Sequence, residues 1–252
     1  MSSRRRASPT ALPLAQILFS QGFGTRRHCA ALIDHGLVRV EGQTVDDGDA
    51  LFETAGLQFE VQGKTWPFHE QALILLNKPA GYECSRKPRH HPGVLSLLPE
   101  PLRQREVQPV GRLDEDTTGL LLLTDDGQLL HQLASPKHHV PKVYHARCKH
   151  PLTENDLQAL RDGVLLHEDD PRLADKPARA EAAELLPDGQ LQLTLTEGRY
   201  HQVKRMVAAV GNRVEALHRA AYGALWLPED LAPGQWRWLE GGLATIKGEG
   251  KT

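Results

Sequence analysis

An α+β fold in two parts is predicted by three features of the chain. Helix-period and strand-period stretches follow one another without a regular βα repeat, which argues against a doubly wound sheet. Residues 12–62 hold a self-contained pattern of two helices and a hairpin. A polar stretch from Gln62 to His69 then separates this module from a longer remainder. The expected division is a disordered basic tail over 1–11, a small module over 12–62, a linker over 63–69, a larger domain over 70–246 and a flexible tail over 247–252. With 252 residues the chain can bury one or two cores without metal or disulfide staples.

Each element has a local reason. Pro13 suits a helix start, and Leu14, Ile17 and Leu18 recur at helical spacing. Thr25 is a good N-cap for a helix over residues 26–35, with Cys29, Leu32 and Ile33 inward and Gly36 as its stop. Val38, Val40 and Val45 alternate around Glu41-Gly42, the pattern of a hairpin, and a further strand is expected near Leu51–Val61. In the larger part, Leu73–Leu76, Leu120–Leu123, Lys142–Cys148 and Leu191–Leu195 read as strands. Val94–Leu98 reads as one helical turn, and residues 128–134 as a short helix. Thr153 with Asp156 forms a capping box for another helix. Val203, Met206, Val207 and Val210 fall at i, i+3, i+4 and i+7, predicting a helix over 201–210 stopped by Gly211.

Composition narrows the function. A net charge of −2 excludes a uniformly basic binder, but the charge is zoned. Residues 1–40 carry +5 and residues 41–63 carry −6, while 135–150 and 199–219 are basic. Three scattered cysteines fit a reducing cytoplasm better than a disulfide scaffold. The partly apolar start is broken by Gln16, Ser20 and Gln21, and no run approaches membrane-spanning length. Neither GxxxxGK[ST] nor GxGxxG after a strand occurs. His90-His91 and His138-His139 lie in no metal-binding frame, so no metal or cofactor is predicted.

The segment from Gly111 to Gly127 carries the most chemistry. It reads as a polar loop, a buried strand and a tight turn, with Gly111 and Gly119 permitting sharp bends. Thr117 and Thr118 can fix the loop, so that Asp114 or Asp116 stands on a rigid rim and Arg112 can make a bidentate phosphate contact. A solvated inter-strand loop is the plain alternative.

This segment resembles the signature loop of the pseudouridine synthase family, in the bacterial ribosomal branch that joins an S4-type module to a catalytic domain. Residues 75–82 resemble the family's first strand and turn, 135–139 with 142–144 its second basic motif, and 197–206 its third. The resemblance covers roughly residues 12–246 in family order. It implies a mixed, mostly antiparallel catalytic sheet. It also implies Asp114 as catalytic nucleophile, Tyr144 against the target base assisting proton removal from C5, and Lys204 paired with the aspartate. Arg205 is the substitute for Lys204 if the border of the apolar stripe lies one residue on. Arg112 is expected to help hold a flipped nucleotide, with Lys137, Lys142, Arg199, His201, Arg205 and Arg219 as further RNA contacts. In the S4-like module Arg26, Arg27 and Arg39 are the RNA-facing residues, although Leu14-Ala15-Gln16 replaces the usual basic opening.

The implied reaction isomerises uridine to pseudouridine and needs no cofactor. The implied partner is 16S ribosomal RNA, free or in a partly assembled small-subunit particle, with uridine 516 as target and a cytoplasmic monomer as the working form. A synthase for 23S or transfer RNA, a non-catalytic ribosome-assembly factor, and a hydrolase using Asp114 with Asp116 are the alternatives.

Overall fold

The computed structural model describes residues 11–134, 138–166, 173 and 175–249. In chain order the elements are β1 (Ala11–Pro13), α1 (Leu14–Ser20), α2 (Arg26–Asp34), β2 (Val38–Val40), β3 (Gln43–Thr44), β4 (Leu51–Glu53), β5 (Gln58–Val61), β6 (Lys64–Pro67), β7 (Leu73–Lys78) and α3 (Glu100–Gln104). There follow β8 (Gln108–Pro109), β9 (Thr118–Thr124), α4 (Gly127–Ala134), β10 (Lys142–Cys148), α5 (Glu154–Asp162), β11 (Ala182–Leu185), β12 (Leu191–Leu195) and α6 (Gln202–Ala209). The chain ends through β13 (Val214–Tyr222), β14 (Leu225–Trp226), β15 (Trp236–Trp238) and α7 (Gly242–Lys247). Helices and sheets share the chain without βα alternation, and the fold is α+β.

Two compact units form: Met1–Ala72 with Leu98–Val107, and Leu73–Leu97 with Gln108–Thr252. In the first, the Thr25 hydroxyl accepts from the His28 N–H at 3.2 Å and caps α2. The β2–β3 hairpin turns on Glu41 and Gly42, both at positive φ. Leu14, Ile17, Leu18, Ile33, Val38 and Phe59 are among the buried residues that form one core. The polar stretch predicted as a linker is instead β6, paired to β5 in a four-stranded sheet. Its Trp66 is buried and meets Phe23 edge-on, and Phe68 just beyond packs against the same core, so two aromatics decide the fate of a largely polar segment. The expected N-terminal tail runs one residue too far: Ala11 already pairs with Glu53, and the rest of that tail lies outside the described residues.

Leu98–Val107, expected within the larger domain, joins the first unit because Arg105 Nη1 donates to Gln21 Oε1 at 2.7 Å and to the His69 carbonyl at 2.9 Å. In the second unit the strand order is β11-β12-β10-β13-β9-β7-β15, with β14 on β13 and β8 on β9. Among this sheet's described strand pairs only β13–β9 is parallel, giving the mixed, mostly antiparallel sheet. Leu120 to Leu123 are fully buried at its centre, as a continuous apolar run requires. The expected C-terminal tail starts one residue too early, since Lys247 closes α7.

The parallel pair has a steric condition. Gly119 opposes Arg219 at φ +103°, and a β-carbon there would lie 2.3 Å from the Arg219 carbonyl oxygen. Gly119→Ala is therefore expected to lower unfolding free energy by more than about 2 kcal/mol in urea titrations. A midpoint unchanged from wild type would contradict this account of β9.

Candidate active site

The loop between β8 and β9 is held from below by one buried lysine. Lys78, the last residue of β7, is 0% exposed. Its ammonium donates to the carbonyls of Thr117 at 2.8 Å, Asp114 at 3.0 Å, Glu115 at 3.0 Å and Pro79 at 3.1 Å. Burial draws the Lys78 pKa below the usual lysine range, against the pull of the acids Glu115, Asp116 and Asp114. The Gly81 N–H adds a bond to the Glu115 carbonyl at 2.9 Å, and Thr117 N–H closes onto the Asp114 carbonyl at 3.1 Å. On the other flank Thr118 Oγ1 lies 2.9 Å from His218 Nδ1. The loop is thus tied to β7 through its backbone carbonyls and to β13 through the Thr118 hydroxyl.

Three side chains then converge. Asp114 Oδ2 lies 3.1 Å from Lys204 Nζ, and its Oδ1 lies 3.3 Å from His201 Nε2. Lys204 also donates to both oxygens of Asp116, at 2.7 and 2.9 Å. The placement of Lys204 follows from α6: Gln202, Val203, Met206 and Val207 are buried, which leaves residue 204 at the edge of the buried stripe. The Asp114 side chain is 28% exposed and that of Lys204 26%, so the pair is shielded yet open to a reactant. Burial opposes the Lys204 charge, but bonds to Asp116 and Asp114 outweigh it and raise the pKa. Burial would likewise raise Asp116, and the Lys204 contact overrides it and lowers the pKa.

These shifts set a pH window. The depressed Asp116 pKa stabilises the fold above the ordinary carboxylate range, an effect lost as pH falls through its folded value. The raised Lys204 pKa acts below the ordinary lysine range and is lost as pH rises through its folded value. Asp116→Asn should therefore melt below wild type by a constant margin between about pH 5 and about pH 9, with the gap closing in acid. A gap that does not narrow as the pH falls below the ordinary carboxylate range would contradict the assignment.

The turn that leads into α6 is a polar knot. Glu197 accepts from Gln202 Nε2 at 2.7 Å and from Arg199 Nε at 3.2 Å. Arg199 also donates to the Lys176 and Pro177 carbonyls at 2.8 and 3.3 Å. This knot holds His201 in the left-handed region at φ 47°, where its ring stacks on exposed Tyr200 at 3.8 Å.

Of the other residues singled out in the sequence, Arg112 is exposed on the loop, and Arg26, Arg27 and Arg39 are exposed on α2 and β2. Tyr144 is half-buried on β10, opposite Arg219 of β13, and Arg219 in turn opposes Gly119 at the end of the loop. Two strand spacings, roughly 10 Å of backbone, therefore separate Tyr144 from the loop's last glycine. Arg205 donates to the Tyr200 carbonyl at 3.0 Å, so Lys204 is the residue that meets Asp114. His201, expected as an RNA contact, instead faces Asp114.

Three expected RNA contacts are corrected. Arg219 is buried, with Nε bonded to the Leu120 carbonyl at 2.8 Å, because it lies on the central parallel pair. The Arg199 side chain is 7% exposed and ties the knot just described. Lys142 is partly buried, donates to the Val140 carbonyl at 3.0 Å, and has its pKa lowered to about 8 by burial and by Arg219. Lys137 lies outside the described residues. Lys78 and the Asp116–Lys204 contact were not predicted as site features. The Asn77-Lys78-Pro79 motif was the available signal for the first, whereas the second depends on tertiary placement.

Known proteins resemble this chain in sequence and in fold. Residues 72–209 match the family model described as RNA pseudouridylate synthase, and residues 12–50 match the S4 domain. A Yersinia pestis protein named ribosomal small subunit pseudouridine synthase A is 48% identical over 65% of this chain and 67% of its own length. The protein of that name from Escherichia coli strain K12 is 46% identical over 67% of this chain and 71% of its own. A crystal structure titled pseudouridylate synthase superposes with a TM-score of 0.63 at 35% identity, covering 94% of this chain and 98% of that one.

Proposed function

The chain belongs to the RNA pseudouridylate synthase family, and from that premise we propose that it converts uridine 516 of 16S ribosomal RNA to pseudouridine, with Asp114 as the attacking carboxylate. The observation that carries this reading is the Asp114 carboxylate between Lys204 and His201 at 3.1 and 3.3 Å, on a loop pinned by Lys78.

The uracil N1–C1′ bond breaks, the base turns within the pocket, and C5 joins C1′. The proton at C5 leaves, and a proton is restored at N1. Atoms and electrons balance within the nucleotide, so the reaction calls for no redox group, methyl donor or triphosphate. An ionised aspartate can act by attack on C6 or on C1′, or by promoting elimination at the sugar. Lys204 supports the charged form of Asp114, since an adjacent cation favours the carboxylate. Tyr144 would lie against the uracil and assist departure of the C5 proton.

Access to the base requires extrusion from its stack, at a cost of a few kcal/mol. Contacts to the RNA backbone offset it, from Arg112 near the base and from Arg26, Arg27 and Arg39 of the S4 domain. The working form is a cytoplasmic monomer acting where small subunits assemble. No helix among the described residues is long and apolar enough to cross a membrane.

The test incubates the protein with unmodified 16S, 23S and transfer RNA transcripts and with a partly assembled small-subunit particle. Pseudouridine is then mapped by carbodiimide labelling and primer extension. A single new stop at uridine 516 is expected. Conversion confined to 23S or transfer RNA would overturn the substrate, and absence of conversion in every sample would overturn the enzyme.

A further inference from the structure

The segment from Ser85 to Pro92 carries Arg86, Lys87 and Arg89 with no acid, and lies between β7 and the 3-10 turn at Val94–Leu97. It is a built loop rather than loose chain. Glu83 and Gly93 form a bridge, with Glu83 N–H donating to the Pro92 carbonyl at 3.0 Å and Val94 N–H to the Glu83 carbonyl at 2.9 Å. The Glu83 carboxylate turns back into the loop and accepts three backbone N–H groups, from His90 at 2.9 Å, His91 at 3.0 Å and Arg89 at 3.1 Å. Those bonds from His90 and His91 hold its pKa below the usual carboxylate range. The acid therefore organises the loop backbone and leaves the basic side chains displayed. Arg86, Lys87, Arg89, His90 and His91 are all exposed, and among the described residues Arg86, Lys87 and Arg89 form no ion pair.

The loop is also registered against the signature loop. His91 Nε2 lies 3.6 Å from Glu115 Oε1, and Glu115 follows Asp114 directly. Gly81, just before the basic segment, bonds to the Glu115 carbonyl. We propose that the Glu83-organised loop is an RNA-backbone clamp, in which Arg86, Lys87 and Arg89 bind phosphates of nucleotides flanking the one presented to Asp114. The inference rests on the RNA-modifying reading above. Three cations over four residues span at most about 10 Å of chain, the scale of a few nucleotides. Phosphate neutralisation of this kind sets register and salt dependence rather than sequence choice.

The test measures equilibrium binding of a fluorescein-labelled 16S ribosomal RNA transcript across a salt series, with Asp114→Asn protein so that the RNA stays unmodified. The triple variant Arg86→Gln, Lys87→Gln, Arg89→Gln is expected to bind about tenfold to a hundredfold more weakly at about 0.1 M salt. Its log affinity against log salt should be shallower by about two. Glu83→Ala separates a built clamp from bulk charge, because it makes the protein more positive. Bulk attraction then tightens binding, whereas loss of the loop's three N–H anchors weakens it. In the active background both variants should raise KM and leave kcat unchanged.

An unchanged salt slope in the triple variant, or tighter binding by Glu83→Ala, would overturn the clamp. Conversion by wild type with KM unmoved in the triple variant would remove the clamp and leave the enzymatic reading. A reduced slope without conversion by wild type on any RNA would do the reverse.

Discussion

Asp114→Asn is expected to reduce conversion of uridine by at least about 10⁴-fold, in kcat rather than in RNA affinity. The substitution keeps the shape of the side chain and removes its charge. The fold around it is held by backbone bonds that do not use the carboxylate: Lys78 grips the Asp114 carbonyl, and Thr117 N–H closes onto the same oxygen. Lys204 keeps Asp116 as a partner at 2.7 Å, so the ammonium is not left buried and unpaired. A stable, RNA-binding, inactive protein is the expected phenotype, checked by single-turnover kinetics beside a thermal melt. Near-normal single-turnover rates would remove Asp114 from the chemistry.

Lys78→Met is expected to destabilise the second unit by about 3 kcal/mol or more, and to slow conversion by about 10²-fold in whatever protein remains folded. Burial already disfavours the Lys78 charge, as its lowered pKa records, but four carbonyls are arranged around it. Methionine fills a similar volume and donates nothing, so the Thr117 and Pro79 carbonyls lose the fully buried ammonium, and those of Asp114 and Glu115 keep only the Thr117 and Gly81 N–H groups. Because three of the four belong to residues 114–117, the same change releases the loop that carries Asp114. Urea titration and kcat measured on the refolded fraction separate the two effects. Wild-type stability in Lys78→Met would contradict the structural role given to this ammonium.

Local rules made much of this molecule legible. The stripe of Val203, Met206 and Val207 fixed which side of α6 turns inward and put Lys204 on its border, while the pairing with Asp114 was implied by the family resemblance. The Thr153–Asp156 capping box and the Val38–Val40 hairpin are likewise short-range patterns, and both are present. What failed depended on distant partners. Trp66 turns a polar stretch into an edge of the first sheet only because Phe23 and Phe59 are there to receive it. Arg199 and Arg219 carry charge that reads as surface, yet one is sequestered by Glu197 and two carbonyls and the other by the β13–β9 pair. Lys204 reaching Asp116 as well as the expected Asp114 joins residues 88 positions apart along the chain, a meeting no window on the sequence can contain.

The central claim is chemical, and one label reports it. Joining C5 to C1′ must release the hydrogen at C5, so 16S ribosomal RNA transcribed with tritium at uridine C5 should give up one equivalent of label to water per RNA. Wild-type protein is expected to release that equivalent and Asp114→Asn none. Release by Asp114→Asn at the wild-type rate, or retention of all label by wild type on free RNA and assembled particle alike, would contradict the account.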